Sequence, residues 1–181
     1  MTELQGSIVL VGLPGSGKST VGRHLARRLG LVFVDADHFI EQRQGCSVRE
    51  YFEREGEHAF RDLEQATLAE LAQRQGVVLS TGGGAVLREA NRQTLKRQGW
   101  VVYLKSSPEE LYRRLRHDTT RPLLQVGDPL KKLKELFAVR DPLYREVAHH
   151  VLETGRPTVS SLVNHIAMQW EQRALHQGPG D

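Results

Sequence analysis

One cysteine in 181 residues, Cys46, leaves no intrachain disulfide to form, so stability has to come from packing, as expected in a reducing compartment. Aromatic residues make up only 6%, too few to build the stacking platform that single-stranded nucleic acids require. Charge of one sign is also lacking: 25 basic against 22 acidic residues leave +3, which does not call for a polyanionic partner. The start, Met1-Thr2-Glu3-Leu4-Gln5, carries an acid where a secretory leader would be basic, and the apolar run Ile8 to Val11 is too short for a signal core or a membrane span. The eight histidines show no metal-ligand spacing, and His149-His150 reads as structural. The expectation is a cytoplasmic chain with no membrane and no nucleic-acid partner. A hydrophobic content of 39% over this length suits one domain, residues 1–176, with 177–181 as a frayed, disordered tail.

What is present is a regular alternation. Ile8 to Val11 is a short, partly β-branched run closed by Gly12, the pattern of a strand buried on both faces. Similar runs recur at Leu31 to Val34, Val77 to Leu79, Val101 to Leu104 and, more weakly, His150 to Leu152. Between them Val21, Leu25 and Leu29, then Phe60, Leu63, Thr67, Leu68 and Leu71, repeat at helical spacing. Strands alternating with amphipathic helices predict an α/β fold with a parallel sheet and right-handed crossovers. Ser47 with Glu50, Ser107 before Pro108-Glu109-Glu110, and Asp128-Pro129 mark helix starts. Gly30, Gly76 and Gly99 fall where helices should end before strands.

Gly12-Leu13-Pro14-Gly15-Ser16-Gly17-Lys18-Ser19 follows the first strand and opens the first helix, which is the pattern and the context of a P-loop. Its glycines let successive N–H groups face one phosphate chain, the helix N-terminus adds its positive dipole end, and Lys18 reaches the terminal phosphates. Gly15, Ser16, Gly17, Lys18, Ser19 and Thr20 are therefore the candidate nucleotide contacts, with the Ser19 hydroxyl on a magnesium ion. The third apolar run ends in Ser80-Thr81-Gly82-Gly83-Gly84 without an acid, so the metal's carboxylate has to come from Asp35-Ala36-Asp37 at the end of the second. With one residue between them, the two side chains diverge: Asp35 is expected to face the metal and Asp37 the acceptor, although an Asp just past a strand also reads as a helix cap. Gly82-Gly83-Gly84 costs backbone entropy and returns no packing, which reads either as close approach to a ligand at the carboxyl edge of the sheet or as a left-handed turn. On pattern alone Arg61 is a solvated arginine beside Phe60 and Leu63. Arg121 lies in a turn-rich stretch, 117–127, that suits a lid over the site. Arg140 precedes Asp141-Pro142, where a helix is expected to be interrupted.

Taken together, the P-loop, Asp35-Ala36-Asp37, Phe60-Arg61, the glycine triplet, Arg121-Pro122-Leu123-Leu124 and Arg140-Asp141-Pro142-Leu143-Tyr144 resemble the shikimate kinase family over about residues 6–170. The resemblance implies a nucleoside monophosphate kinase-like fold: a five-stranded parallel sheet with helices on both faces, a substrate-binding helical region at about 36–62 and a lid at about 117–127. It implies transfer of the γ-phosphoryl group of ATP to the 3-hydroxyl of shikimate, with Mg²⁺, by a chain expected to act as a monomer. Asp37, Arg61, Gly82, Gly83, Gly84 and Arg140 become the shikimate contacts, and Ser19 with Asp35 the magnesium residues. Lys18, Asp37 and Arg121 become the catalytic set, Arg121 and Arg114 are assigned to the nucleotide phosphates, and Arg156 to stacking on adenine. A gluconate or nucleoside monophosphate kinase shares the core but has no evident need of the triplet beside two separated arginines and Asp37. A basic patch for RNA, formed by Arg113, Arg114, Arg116, Arg121, Lys131, Lys132 and Lys134, is the reading from another class, with Tyr112 as its one aromatic residue.

Overall fold

The computed structural model describes residues 6–116 and 127–176. Within them β1 (Ile8–Val11), β2 (Val32–Asp35), β3 (Val77–Ser80), β4 (Trp100–Lys105) and β5 (His150–Glu153) form one sheet in the order β2-β3-β1-β4-β5. Every pairing is parallel. The connections are α1 (Lys18–Leu29), then α2 (Ala36–Gln44), α3 (Val48–Glu55) and α4 (Glu57–Leu71), then α5 (Glu89–Gln98), then α6 (Pro108–Leu115) and α7 (Pro129–Val147); α8 (Val159–His176) follows β5. All five expected strands are present within one or two residues of the apolar runs, because each run is long enough only for a strand.

Alternation along the central strand splits the core in two. Ile8 and Leu10 pack with Val21 and Leu25 of α1 and Leu162 and Ile166 of α8. Val9 and Val11 face the other way, onto Leu68 and Leu71 of α4, Leu95 of α5, Leu111 of α6 and Leu133 and Tyr144 of α7. A strand covered on both faces has no polar side to show, which is why all four residues of β1 are buried and apolar.

The helix starts form as the sequence predicts: Ser47, Ser107 and Asp128 each accept the backbone N–H three residues on. α1 differs, as do α4 and α5. It begins after Gly17 with no side-chain cap, so its first N–H groups stay available at the carboxyl edge of the sheet. Two expectations change. α7 is not interrupted before Pro142 but runs through it, since Leu133, Tyr144 and Val147 are buried on either side and packing outweighs one missing backbone donor. On a strand Asp35 and Asp37, two residues apart, would share a face; they meet different partners because the first closes β2 and the second sits in the first turn of α2. The region at 36–62 comprises α2, α3 and the first part of α4. Residues 117–126 of the expected lid, with Arg121, and the tail at 177–181 lie outside the described residues.

Candidate active site

The P-loop wraps the end of β1. Lys18 is 8% exposed, and its Nζ donates to the carbonyls of Gly12 (2.7 Å) and Leu13 (3.0 Å), which draws the loop around its own ammonium group. Gly15 and Gly17 adopt φ of 84° and 94°, a left-handed backbone that residues with a Cβ rarely adopt. Pro14, Gly15, Gly17, Lys18, Ser19 and Thr20 line a cavity of about 350 Å³ together with Asp35 and Asp37. Ser16 is buried behind it. The uncapped N-terminus of α1 and the lysine make this cavity an anion site.

Across the cavity the Ser19 hydroxyl donates to Asp35 Oδ2 at 2.7 Å, while Asp35 Oδ1 accepts the His38 N–H at 3.1 Å. Asp35 is thus both a helix cap and the partner of Ser19, so the cap reading holds and does not keep the acid away from the Ser19 hydroxyl. Asp37 has no such cap role. Its Oδ1 is buried with no hydrogen-bond partner among the described groups. The Asp37 carboxyl is pushed up to about 6, chiefly by burial, with Glu64 and Asp35 also raising it and Lys18 pulling it back.

A second cavity of about 680 Å³ adjoins the first, and Pro14, Asp37, Gly82, Gly83 and Leu115 line both. Its walls are Val48 and Phe52 of α3, Phe60, Arg61 and Glu64 of α4, and Lys132, Leu136 and Arg140 of α7. Thr81 ties the entry of the glycine triplet to β1, donating from N (3.2 Å) and Oγ1 (2.9 Å) to the Leu10 carbonyl. None of the three glycines that follow has a positive φ, so the left-handed-turn reading fails. They are needed for room. A Cβ on Gly82 would stand 2.7 Å from Asp37 Oδ1, one on Gly83 would stand 2.7 Å from the Pro14 ring and 3.3 Å from Arg140, and one on Gly84 would enter the Arg61 guanidinium.

Arg61 is not the solvated residue that pattern alone suggests. Its side chain is 13% exposed and donates to Glu64 Oε1 at 2.8 Å, with the Phe52 and Phe60 rings against it. Glu64, at 2% exposure, was not among the sequence candidates; its signal is the spacing of three from Arg61, which puts the pair on one helix face. Burial raises the Glu64 carboxyl, and Arg61, Arg140 and Arg88 lower it. Lys132, grouped above with the basic patch, lines the second cavity. Arg114 donates to the carbonyls of Gly15 (3.4 Å) and Thr154 (3.0 Å), bridging the P-loop to the segment after β5. Arg156 is exposed in that segment, outside the residues lining either cavity. His149 accepts the Val101 N–H at 3.0 Å, a structural role, and among the described residues no group of three or more acidic, His or Cys side chains could hold a metal by itself.

The family model for shikimate kinase matches residues 14–171. The chain belongs to the shikimate kinase family. A shikimate kinase of Paracidovorax citrulli is 62% identical over 168 residues, covering 91% of this chain and 92% of its own. Among solved structures, a shikimate kinase from Acinetobacter baumannii in complex with shikimate superposes with TM-score 0.89 at 46% identity, covering 94% of this chain and 95% of its own. A gluconokinase from Sinorhizobium meliloti, at 20% identity and TM-score 0.58, shares the fold alone. Among the described residues no helix is long and apolar enough to cross a membrane.

Two outcomes follow from this geometry. Gly84→Ala keeps an ordinary backbone, at φ −93°, but displaces Arg61; the melting temperature should stay within a few degrees while KM for the acceptor rises about tenfold or more and KM for ATP is unchanged. An unchanged acceptor KM would show that the Arg61 position is irrelevant. The second concerns Asp37, whose carboxyl is held above its ordinary value of 3.8, at about 6. The folded state therefore prefers the proton: the stability this group contributes is complete below pH 4 and lost as pH rises through 6. Asp37→Asn should raise Tm at pH 7, without nucleotide or metal, by roughly 3–8 °C, and the gain should vanish near pH 4. A variant less stable than wild type at pH 7 would contradict the raised carboxyl.

Proposed function

We propose that the two cavities are the nucleotide and acceptor halves of one phosphoryl-transfer site, with Asp37 at their junction. The reaction is that of a shikimate kinase: the γ-phosphoryl group of ATP passes to the 3-hydroxyl of shikimate, giving shikimate 3-phosphate and ADP, a step of chorismate and aromatic amino acid biosynthesis. The observation that carries the assignment of residues is that one carboxylate, Asp37, lines both cavities and has a buried oxygen without a partner.

Gly15, Ser16, Gly17, Lys18, Ser19 and Thr20 hold the triphosphate through backbone N–H groups and the α1 dipole, and Lys18 meets charge that develops on the transferring group. Arg61 and Arg140, on facing walls of the second cavity, take the acceptor's carboxylate as a pair of charge-assisted forks. The Gly82-Gly83-Gly84 backbone borders the acceptor from the sheet side. Asp37 receives the 3-hydroxyl, and a carboxyl near 6 is ionised at neutral pH yet basic enough to accept its proton. Because the transition state is loose, orientation of the hydroxyl is the larger part of that role. Mg²⁺ fits the residues present: Ser19 and Asp35 offer only oxygen donors beside the phosphate cavity, the donor set of an ion held mainly through nucleotide phosphates and water. When bound it neutralises phosphate charge. Arg121 is proposed to supply a further positive charge, and Arg114 and Arg156 to border the nucleotide.

The testing assay follows ADP release with shikimate, shikimate methyl ester, gluconate and nucleoside monophosphates as acceptors. Turnover should be confined to shikimate, and Arg61→Ala or Arg140→Ala should cost about ten- to a thousand-fold in shikimate kcat/KM, with ATP binding little changed. Asp37→Asn should lower kcat by on the order of a hundred-fold with smaller effect on shikimate binding. Efficient phosphorylation of the methyl ester would remove the carboxylate clamp, and an Asn variant above about a tenth of normal turnover would leave Asp37 as an orienting group only.

A further inference from the structure

Behind the glycine triplet, on its core side, lies a hydroxyl that the roles above do not use. Tyr144 is fully buried on α7 and donates a hydrogen bond to the Gly83 carbonyl. Its ring packs on Tyr103 of β4, with centroids 4.9 Å apart at an interplanar angle of 37°. The Tyr103 hydroxyl donates to Asp141 Oδ1 at 2.8 Å, and Arg145 Nε donates to the other oxygen at 3.0 Å. α7 is therefore fixed to the sheet at Asp141 and at Tyr144, immediately after Arg140 and one turn beyond it. Arg140 and Tyr144, four residues apart, share a helix face, and the guanidinium charge acts on the phenol.

We propose that Tyr144 is a positioning residue for the acceptor: its hydroxyl sets the orientation of the Gly83–Gly84 peptide, against which the Arg140 guanidinium lies. Glycine peptides rotate with little steric resistance, so a run of three needs an external anchor if its backbone is to meet a ligand in one orientation. The Tyr144 hydroxyl supplies it from the core side. Because the peptide is trans, fixing the Gly83 carbonyl toward Tyr144 turns the Gly84 N–H the opposite way. Gly83 also lies close to the Arg140 terminus, where a Cβ would stand 3.3 Å from a guanidinium nitrogen, so the peptide that Tyr144 orients borders that group. Burial holds the Tyr144 hydroxyl well above the usual phenol range, against the pull of Arg140 and Arg61, so it stays a donor throughout the working pH range. Packing alone does not explain it, since a phenylalanine would fill the same space and stack on Tyr103 equally well.

This inference rests on the second cavity being the acceptor site, and the full-length chain tests the two separately. Shikimate and ADP are titrated calorimetrically into wild type and Tyr144→Phe, with Tm and steady-state KM and kcat measured alongside. Shikimate binding to the wild type tests the cavity reading, and without it that reading and the inference both fall. Given binding, Tyr144→Phe should weaken shikimate Kd and raise its KM about three- to tenfold, the worth of one buried hydrogen bond, while ADP Kd stays within about 1.5-fold. Partial unfolding would lower kcat without moving KM, so the split separates positioning from stability. A shikimate Kd and KM within about 1.5-fold of wild type, at any Tm, would overturn the proposal, as would equal weakening of both ligands.

Discussion

Close approach at residues 82–84 is the constraint on which the rest of the site depends. Asp37, Arg140 and Arg61 reach the second cavity from α2, α7 and α4, three helices separated in sequence, and each meets one glycine of a single short segment. A methyl group at any of the three positions would collide with a functional side chain or with Pro14 of the P-loop. The segment's own placement follows from the sheet: β3 pairs with both β1 and β2, so its carboxyl end emerges between the P-loop and Asp35. Fold topology thus delivers the P-loop, Asp35 and the glycine backbone to one edge, where parallel sheets bind their ligands.

Charge in the acceptor cavity is balanced rather than uniform. Arg61 and Arg140 are opposed by Glu64, which is nearly inaccessible to water and pairs with Arg61 at 2.8 Å. A buried carboxylate beside a guanidinium adds little net stability, but it fixes where the guanidinium points. The same carboxylate raises the Asp37 carboxyl, as burial does first. On the proposed roles, one buried acid thus serves both ends of the acceptor, aiming the arginine toward its carboxylate and leaving Asp37 receptive to the hydroxyl proton.

The fold was legible because its strands are short apolar runs separated by helical periodicity, and because Gly12 to Ser19 stands between a strand and a helix. Side-chain direction was not legible to the same degree. Arg61 neighbours the core residue Phe60 in sequence and so looked solvated, yet α4 turns it inward toward Glu64, a contact made by helix geometry and not by any motif. Pro142 reads as a break, since a missing N–H is a local signal whereas the packing of Tyr144 and Val147 that carries the helix past it is not. Tyr144 carries no signal of its own in the sequence: a hydrogen bond across 61 residues leaves no periodic trace.

The central claim is that Asp37 joins the two halves of one site while Arg61 and Arg140 hold the far end of the acceptor. A crystal structure of this chain with shikimate and magnesium ADP tests it most directly. The account predicts the shikimate carboxylate within about 3 Å of both guanidinium groups and the 3-hydroxyl at hydrogen-bond distance from Asp37, facing the nucleotide. A shikimate carboxylate turned toward Lys18, or a 3-hydroxyl more than about 5 Å from Asp37, would contradict it.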